Sequence, residues 1–202
     1  ELLILNGIAT IGVEANNVDT LIEDAVRVID SALHPDYFDI FLLDEKHDSL
    51  RVFRSPRTAD KELNIAREKG IIGLALADGK VHRIGDVRLE SAYLAANPGV
   101  QSELCVPLRV GRSAIGVINV ESKQLNAFTK KDEHLMMTFA DQLATAIHKV
   151  RLFQSAQRHA QEAEILREAG SIVAATLSQE ETIERILAQL KRVIPYDSAS
   201  IP

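Results

Sequence analysis

A single cysteine in 202 residues rules out an internal disulfide framework. No apolar run approaches the length that spans a bilayer, and no signal peptide is visible. Basic charge is short as well. Lys and Arg number 23 against 29 Asp and Glu, a net charge of −6, the reverse of what a generic nucleic-acid or acidic-membrane binder carries. His34, His47, His82, His134, His148 and His159 show no i,i+4 pair and no His-x-Glu or His-x-Cys ligand spacing, so no zinc or haem site is expected. A phosphate-loop glycine signature and a paired catalytic constellation are also missing. The expectation is a cytoplasmic chain with neither nucleic acid nor membrane as partner.

What is present suffices for a core, at 46% hydrophobic residues. The most informative stretch is Ser102–Val120, two apolar strands joined at Gly111-Arg112, which suits a two-residue hairpin turn. Pairing outward from that turn sets Leu108 opposite Ile115, Val106 opposite Val117 and Leu104 opposite Asn119. These residues and Ser102 then share one face. Cys105, Pro107, Gly116, Ile118 and Val120 take the other, a small face that lets a helix approach closely. Ser102 and Asn119 stand among apolar neighbours, as polar groups do in small-molecule pockets.

Along the chain, residues 1–16 read as a connector helix and Asn17 as the cap of the next, with its stripe at Ile22, Ala25, Val26, Ile29, Ala32 and Leu33. Asp39–Asp44 and Leu50–Arg54 read as strands, Leu74–Ala77 as a short helix ended by Gly79, and Val81–Ile84 as a short strand. Lys61–Lys69 has a helical pattern and Glu90–Ala96 a helical turn. The loosely patterned stretch 55–101 is long enough to expect a functional role, closing over the Ser102/Asn119 face.

Thr129-x-x-Asp132 has the form of a capping box. Beyond it Leu135, Phe139, Leu143, Ala146, Val150 and Phe153 form a seam of coiled-coil type. Unbroken to about Thr176, that helix would be roughly 65 Å long, too long for one small domain to bury. A homodimer through 132–176 is therefore expected.

The end of the chain repeats its start at an offset of 161 residues. Ile183, Ile186, Leu187, Leu190, Val193 and Ile194 fall on the stripe that begins at Ile22, and Ser178 falls on Asn17. Asp197 falls on Asp36 and Ile201 on Ile40. This reads as one complete unit (17–153), a helical linker (154–176) and the opening of a second unit (177–202). The start at Glu1 and the end at Ile201-Pro202 are those expected of a piece of something longer.

Several motifs in this order resemble the GAF domain family. They are Asp39–Asp44, Gly70-x-x-Gly73, Val81-x-x-Ile-Gly-Asp-Val87, Ser102-x-Leu-x-Val-Pro-Leu108, Ile115-Gly-Val-Ile118 and Phe128-Thr-x-x-Asp-Glu133. The resemblance covers about 17–153 and implies an α+β fold in α/β/α layers. In it a central antiparallel sheet of five to six strands carries the first and last helices on one face. Loops and short helices cover a pocket on the other. It also implies a regulatory role beside further signalling domains.

Some members of that family reduce free methionine sulfoxide through several loop cysteines, and others attach a bilin through a Cys-His pair. Here Cys105 lies mid-strand and is followed by Val106, which reads as a core thiol. Cyclic-nucleotide-binding members carry an Asn-Lys element before the Phe-x-x-x-Asp-Glu run. Phe128, Asp132 and Glu133 are kept, but Lys123 follows Ser122, and helix capping accounts for what remains. Arg51, Arg54 and Arg57 read as a solvated strand edge.

The expected function is a non-catalytic sensory module, with a ligand-free dimerisation and spacer domain as the rival. Its ligand wall would comprise Ser102, Leu104, Val106, Val117 and Asn119, with Phe41, Phe53 and Ile84. No metal is expected, and no cofactor or ligand is named.

Overall fold

The structure, a computed structural model, describes residues 17–44, 49–56 and 68–193. The expected connector helix, His47, Arg57, most of Lys61–Lys69 and the extended segment containing Asp197 and Ile201 lie outside the described residues. The elements in chain order are α1 (Val18–Leu33), β1 (Tyr37–Asp44), β2 (Ser49–Arg54), α2 (Gly70–Asp78) and β3 (His82–Ile84). A 3₁₀ turn at Val87–Leu89 follows, then β4 (Ser102–Val110), β5 (Ser113–Ser122) and α3 (Lys130–Val193). The strands form one antiparallel sheet in the order β2-β1-β5-β4-β3, so the fold is α+β as expected.

Local signals set the helix ends. Asn17 caps α1 by accepting from Thr20 N–H at 2.8 Å, and His34 closes it in the left-handed region at φ 46°. Thr129 and Asp132 form the reciprocal capping box of α3, with Thr129 N–H donating to the Asp132 carboxylate at 2.8 Å. α2 starts four residues earlier than expected, at Gly70, because Ile71 and Ile72 are drawn into the core as part of it.

Compact packing divides the chain between Leu152 and Phe153, within α3. In the first unit one sheet face carries Phe38, Ile40, Leu104, Val106, Ile118 and Val120 against Ile22, Val26 and Ile29 of α1 and Phe139, Leu143 and Ile147 of α3. The Leu135–Phe153 seam, expected to meet a partner chain, is therefore largely enclosed in its own domain. Phe139 and Leu143 are fully buried, and Phe153 alone of the seam is well exposed. In the second unit the helix continues through Ser178, where a new helix start was expected. No Gly or Pro lies between Ser171 and Val193 to stop it.

The hairpin departs from the expected register. Val110 pairs with Ser113 and Arg109 with Ala114, but Leu108 pairs with Gly116, leaving Ile115 as the extra residue of a β-bulge. Beyond the bulge every pair is displaced by one: Val106 meets Ile118, Leu104 meets Val120, and Cys105 meets Asn119. A one-residue slip exchanges the faces of one strand relative to the other. Leu104, Val106 and Leu108 thus belong to the helix-covered face, and Cys105 to the opposite one.

Candidate functional site

The second sheet face is covered by α2 and the segment 87–100. Its apolar floor and wall are Phe41, Val117 and Cys105 from the sheet with Ile71, Ile72 and Ala75 from α2. Of the expected ligand wall, Phe41, Val117, Asn119 and the edge residue Ile84 lie on this side. Leu104, Val106 and Phe53 lie on the other, inside the helix-covered core, Phe53 because it pairs with Ile40. Ser102 shares the parity of Leu104, and its hydroxyl donates to the Gln124 carbonyl at 2.7 Å. It ties down the loop after β5. The eight residues therefore do not form one wall.

The structure instead gathers carboxylates that the hydrophobic pattern passed over. Asp39, Glu103 and Glu121 sit on adjacent strands, each at most 3% exposed, around Asn119. Their only sequence signal is an acid at an interior position of an otherwise apolar strand. Asn97 Nδ2 donates to Glu121 Oε2 at 2.6 Å, and Arg54 Nε donates to Asp39 Oδ1 at 3.2 Å. The polar side chain of Asn119 opposes the rise of both the Glu103 and the Glu121 carboxyls. Cys105 Sγ lies 3.0 Å from Asn119 Oδ1 and 3.3 Å from Glu103 Oε1. Glu103 Oε2 is buried without a hydrogen-bond partner.

Burial dominates the electrostatics of this cluster. Desolvation, reinforced by the charge of Glu121, raises the Glu103 carboxyl to about 8. Desolvation raises Glu121 as well, with the Asn97 hydrogen bond opposing it. Asp39 is raised by burial and pulled back by Arg54. Burial and then the neighbouring Glu103 push the Cys105 thiol well up, so the resting side chain is a thiol rather than a thiolate.

A cavity with room for about one water molecule lies between these groups and Ile71, Ile72, Leu94 and Ala96. Its roof is pinned at several points. Tyr37 O–H donates to the Pro98 carbonyl at 3.0 Å, Asn97 holds Glu121, and Val87 N–H donates to the Gln101 carbonyl at 2.9 Å. Anything larger than water requires this segment to move.

A larger cavity of about 390 Å³ opens on the helix-covered face, between the end of α1 and the start of α3. Its aspartates are already engaged. Asp36 accepts from Ser122 O–H and Lys123 N–H, and Asp132 belongs to the capping box. The acidic cavity is the better candidate because one of its buried oxygens still lacks a partner.

The other candidates resolve into structure. Arg51 pairs with Asp19 at 2.6 Å and Arg54 is buried against Asp39, so neither is a free anion site. Glu133 accepts from Arg83 Nε at 2.9 Å, and the Phe128 carbonyl from Arg83 Nη1 at 3.2 Å, which gives that motif a role in tying β3 to α3. His134, His148 and His159 are exposed. Among the described residues no three His, Cys, Asp or Glu are grouped to hold a metal ion, and no helix is long and apolar enough to cross a membrane.

Comparison with known proteins adds the following. A family profile described as a GAF domain matches residues 17–149. Protein YtsP of Bacillus subtilis is 37% identical over 79 residues, 39% of this chain and 48% of that protein. Free methionine-R-sulfoxide reductase of Escherichia coli is 33% identical over 75 residues, 37% of this chain and 46% of the enzyme. The chain thus spans about half the length of these curated relatives.

Two solved structures share the fold at 22% identity and a TM-score of 0.66. The Neisseria meningitidis free methionine-R-sulfoxide reductase bound to its substrate is matched over 74% of this chain and 89% of that one. The GAF domain of an Acinetobacter phosphoenolpyruvate-protein phosphotransferase is matched over 75% and 94%. The expectation of a non-catalytic chain is corrected here, since an enzyme stands among both the sequence relatives and the fold neighbours.

Proposed function

Since the chain belongs to the GAF domain family, we propose that the pocket around Glu103, Asn119 and Glu121 is its working site, with free methionine sulfoxide as the first candidate substrate. The cluster of buried carboxylates with a thiol at its edge, under a roof of 87–100, carries this reading. The reductase among its relatives supports it.

In the proposed reaction the Cys105 sulfur attacks the sulfoxide sulfur. The oxygen passes to Cys105 as a sulfenic acid and the thioether leaves. Cys105 is the chain's only cysteine, so an external thiol must attack the sulfenic acid, releasing water and leaving a mixed disulfide. A second external thiol then frees Cys105 and departs as the disulfide. The reducing cytoplasm, where we place the chain, holds such thiols.

A second reading has ligand binding bias the arrangement of α3 and so signal to neighbouring domains. Fold likeness to the phosphotransferase GAF domain supports it. A ligand can do this only through differential affinity for two arrangements. Exposed apolar residues of the helix beyond Leu152, among them Phe153, Ile165, Leu166 and Leu190, would then meet a second copy of the chain.

Calorimetry with the R and S sulfoxides, and chromatography of methionine formed with dithiothreitol, test both readings on wild type and Cys105→Ser. The reductase reading expects one diastereomer to bind and be reduced, with Cys105→Ser binding but not turning over. Binding without turnover favours the signalling reading instead. If neither diastereomer binds, the reductase reading fails.

A further inference from the structure

The inner cavity is short of positive charge. Asp39, Glu103 and Glu121 bring three carboxylates into a site at most 3% exposed, and Arg54, bonded to Asp39, is the cation that pairs with them. Buried charge without a partner is costly, so the site favours whatever cation or proton can enter. Glu103, 3% exposed, lines this cavity, and its Oε2 is buried with no hydrogen-bond partner. Metal coordination is a poor fit, since no three of the described His, Cys, Asp or Glu side chains are grouped to hold an ion. The space, about one water molecule, matches an –NH3+ group, which carries three donors.

The cavity also has a way in. Ala96 and Asn97 line both it and an open groove of about 600 Å³ on the outer side of the segment 87–100. The Asn97–Glu121 hydrogen bond is thus the latch between them. Tyr93 lines the outer groove, and its hydroxyl, buried without a partner, lies in the field of Glu121 and Glu103. Resting on the reading of this pocket as the working site, we propose that the cavity behind Asn97 seats a primary ammonium group, with the rest of the ligand in the groove along Tyr93–Val100. The ammonium comes either from an amine, an amino acid included, or from the free ion.

The test is calorimetry at fixed ionic strength on the whole chain, wild type and Glu103→Gln. The probes are ammonium chloride, methylammonium, tetramethylammonium, L-methionine sulfoxide and N-acetyl-L-methionine sulfoxide. Methylammonium is expected to bind with a Kd on the order of millimolar, the ceiling for so small a ligand. Tetramethylammonium is expected not to bind, and Glu103→Gln to bind methylammonium at least tenfold more weakly while its thermal melt shows it folded. Ammonium ion binding tighter than methylammonium supports the site and assigns the source to the free ion. The reverse order supports it and assigns an amine. Methylammonium that binds no better than tetramethylammonium, or equally well to Glu103→Gln, overturns the proposal. N-acetyl-methionine sulfoxide binding as tightly as the free amino acid also overturns it, and leaves the sulfoxide reading standing. Methylammonium binding with neither sulfoxide bound keeps the ammonium site and removes that reading.

Discussion

Cys105 stands directly across the β4–β5 pair from Asn119, with its sulfur 3.0 Å from the Asn119 side-chain oxygen. The bulge at Ile115 puts the two there, and with them the chain's only thiol on the pocket side of the sheet. Had the hairpin paired without the extra residue, Asn119 would lie opposite Leu104 and the thiol would face the helices.

Gly116 sits at that bulge because nothing larger fits beside β1. A Cβ there would lie 2.3 Å from the Phe41 carbonyl oxygen and 3.3 Å from Leu42 Cα, both backbone atoms that cannot rotate away. The expected reason, close approach of a helix, is replaced by close approach of a neighbouring strand. Gly116→Val should destabilise the fold by at least the roughly 1–3 kcal/mol typical of overpacking. Urea denaturation measures this, and a neutral result would remove the explanation of the bulge.

Glu103 gives stability a pH dependence of definite sign. Its folded-state value of about 8 lies above the ordinary 4.5, so the folded chain binds more protons than the unfolded one between those values. Its contribution is fully present below about pH 4.5 and is lost as pH rises through about 8. Glu103→Gln should flatten this fall, and the variant should be the more stable protein at pH 8.5. Thermal melts from pH 5 to 8.5 measure the effect. A variant that keeps the wild-type slope would assign the slope to another group.

Where the signal was local, the sequence reading matches the fold. Asn17 and the Thr129/Asp132 box mark helix starts at the expected places because each acts within four residues of itself. The register did not follow from the sequence, because the bulge depends on Gly116 meeting a carbonyl of a strand more than seventy residues away. One slipped residue moved Leu104, Val106 and Cys105 across the sheet. The carboxylates were missed for a related reason. Glu103 and Glu121 pair directly across the strands, and pairing makes them neighbours in space. Asn119 does lie on the face away from α1 and α3, but its acidic neighbours could be found only once the register was known.

Self-association, proposed through the helix beyond Leu152, has a direct check. Leu166 is 73% exposed, Ile165 58% and Leu190 43%, too much apolar surface for a lone helix to leave wet without consequence. Sedimentation of the whole chain at micromolar concentration should give a dimer, and Leu166→Glu with Leu190→Glu should shift it toward monomer. A wild-type monomer would leave this stripe to some other partner.

The central claim is that a small molecule enters on the carboxylate face of the sheet. Methyl-labelled NMR during titration with free methionine sulfoxide tests it most directly. The account predicts shifts at Ile71, Ile72 and Val117, with Leu104, Val120 and Leu135 unmoved. Shifts at Leu104, Val120 and Leu135 instead would place the ligand in the cavity between α1 and α3, and would contradict it.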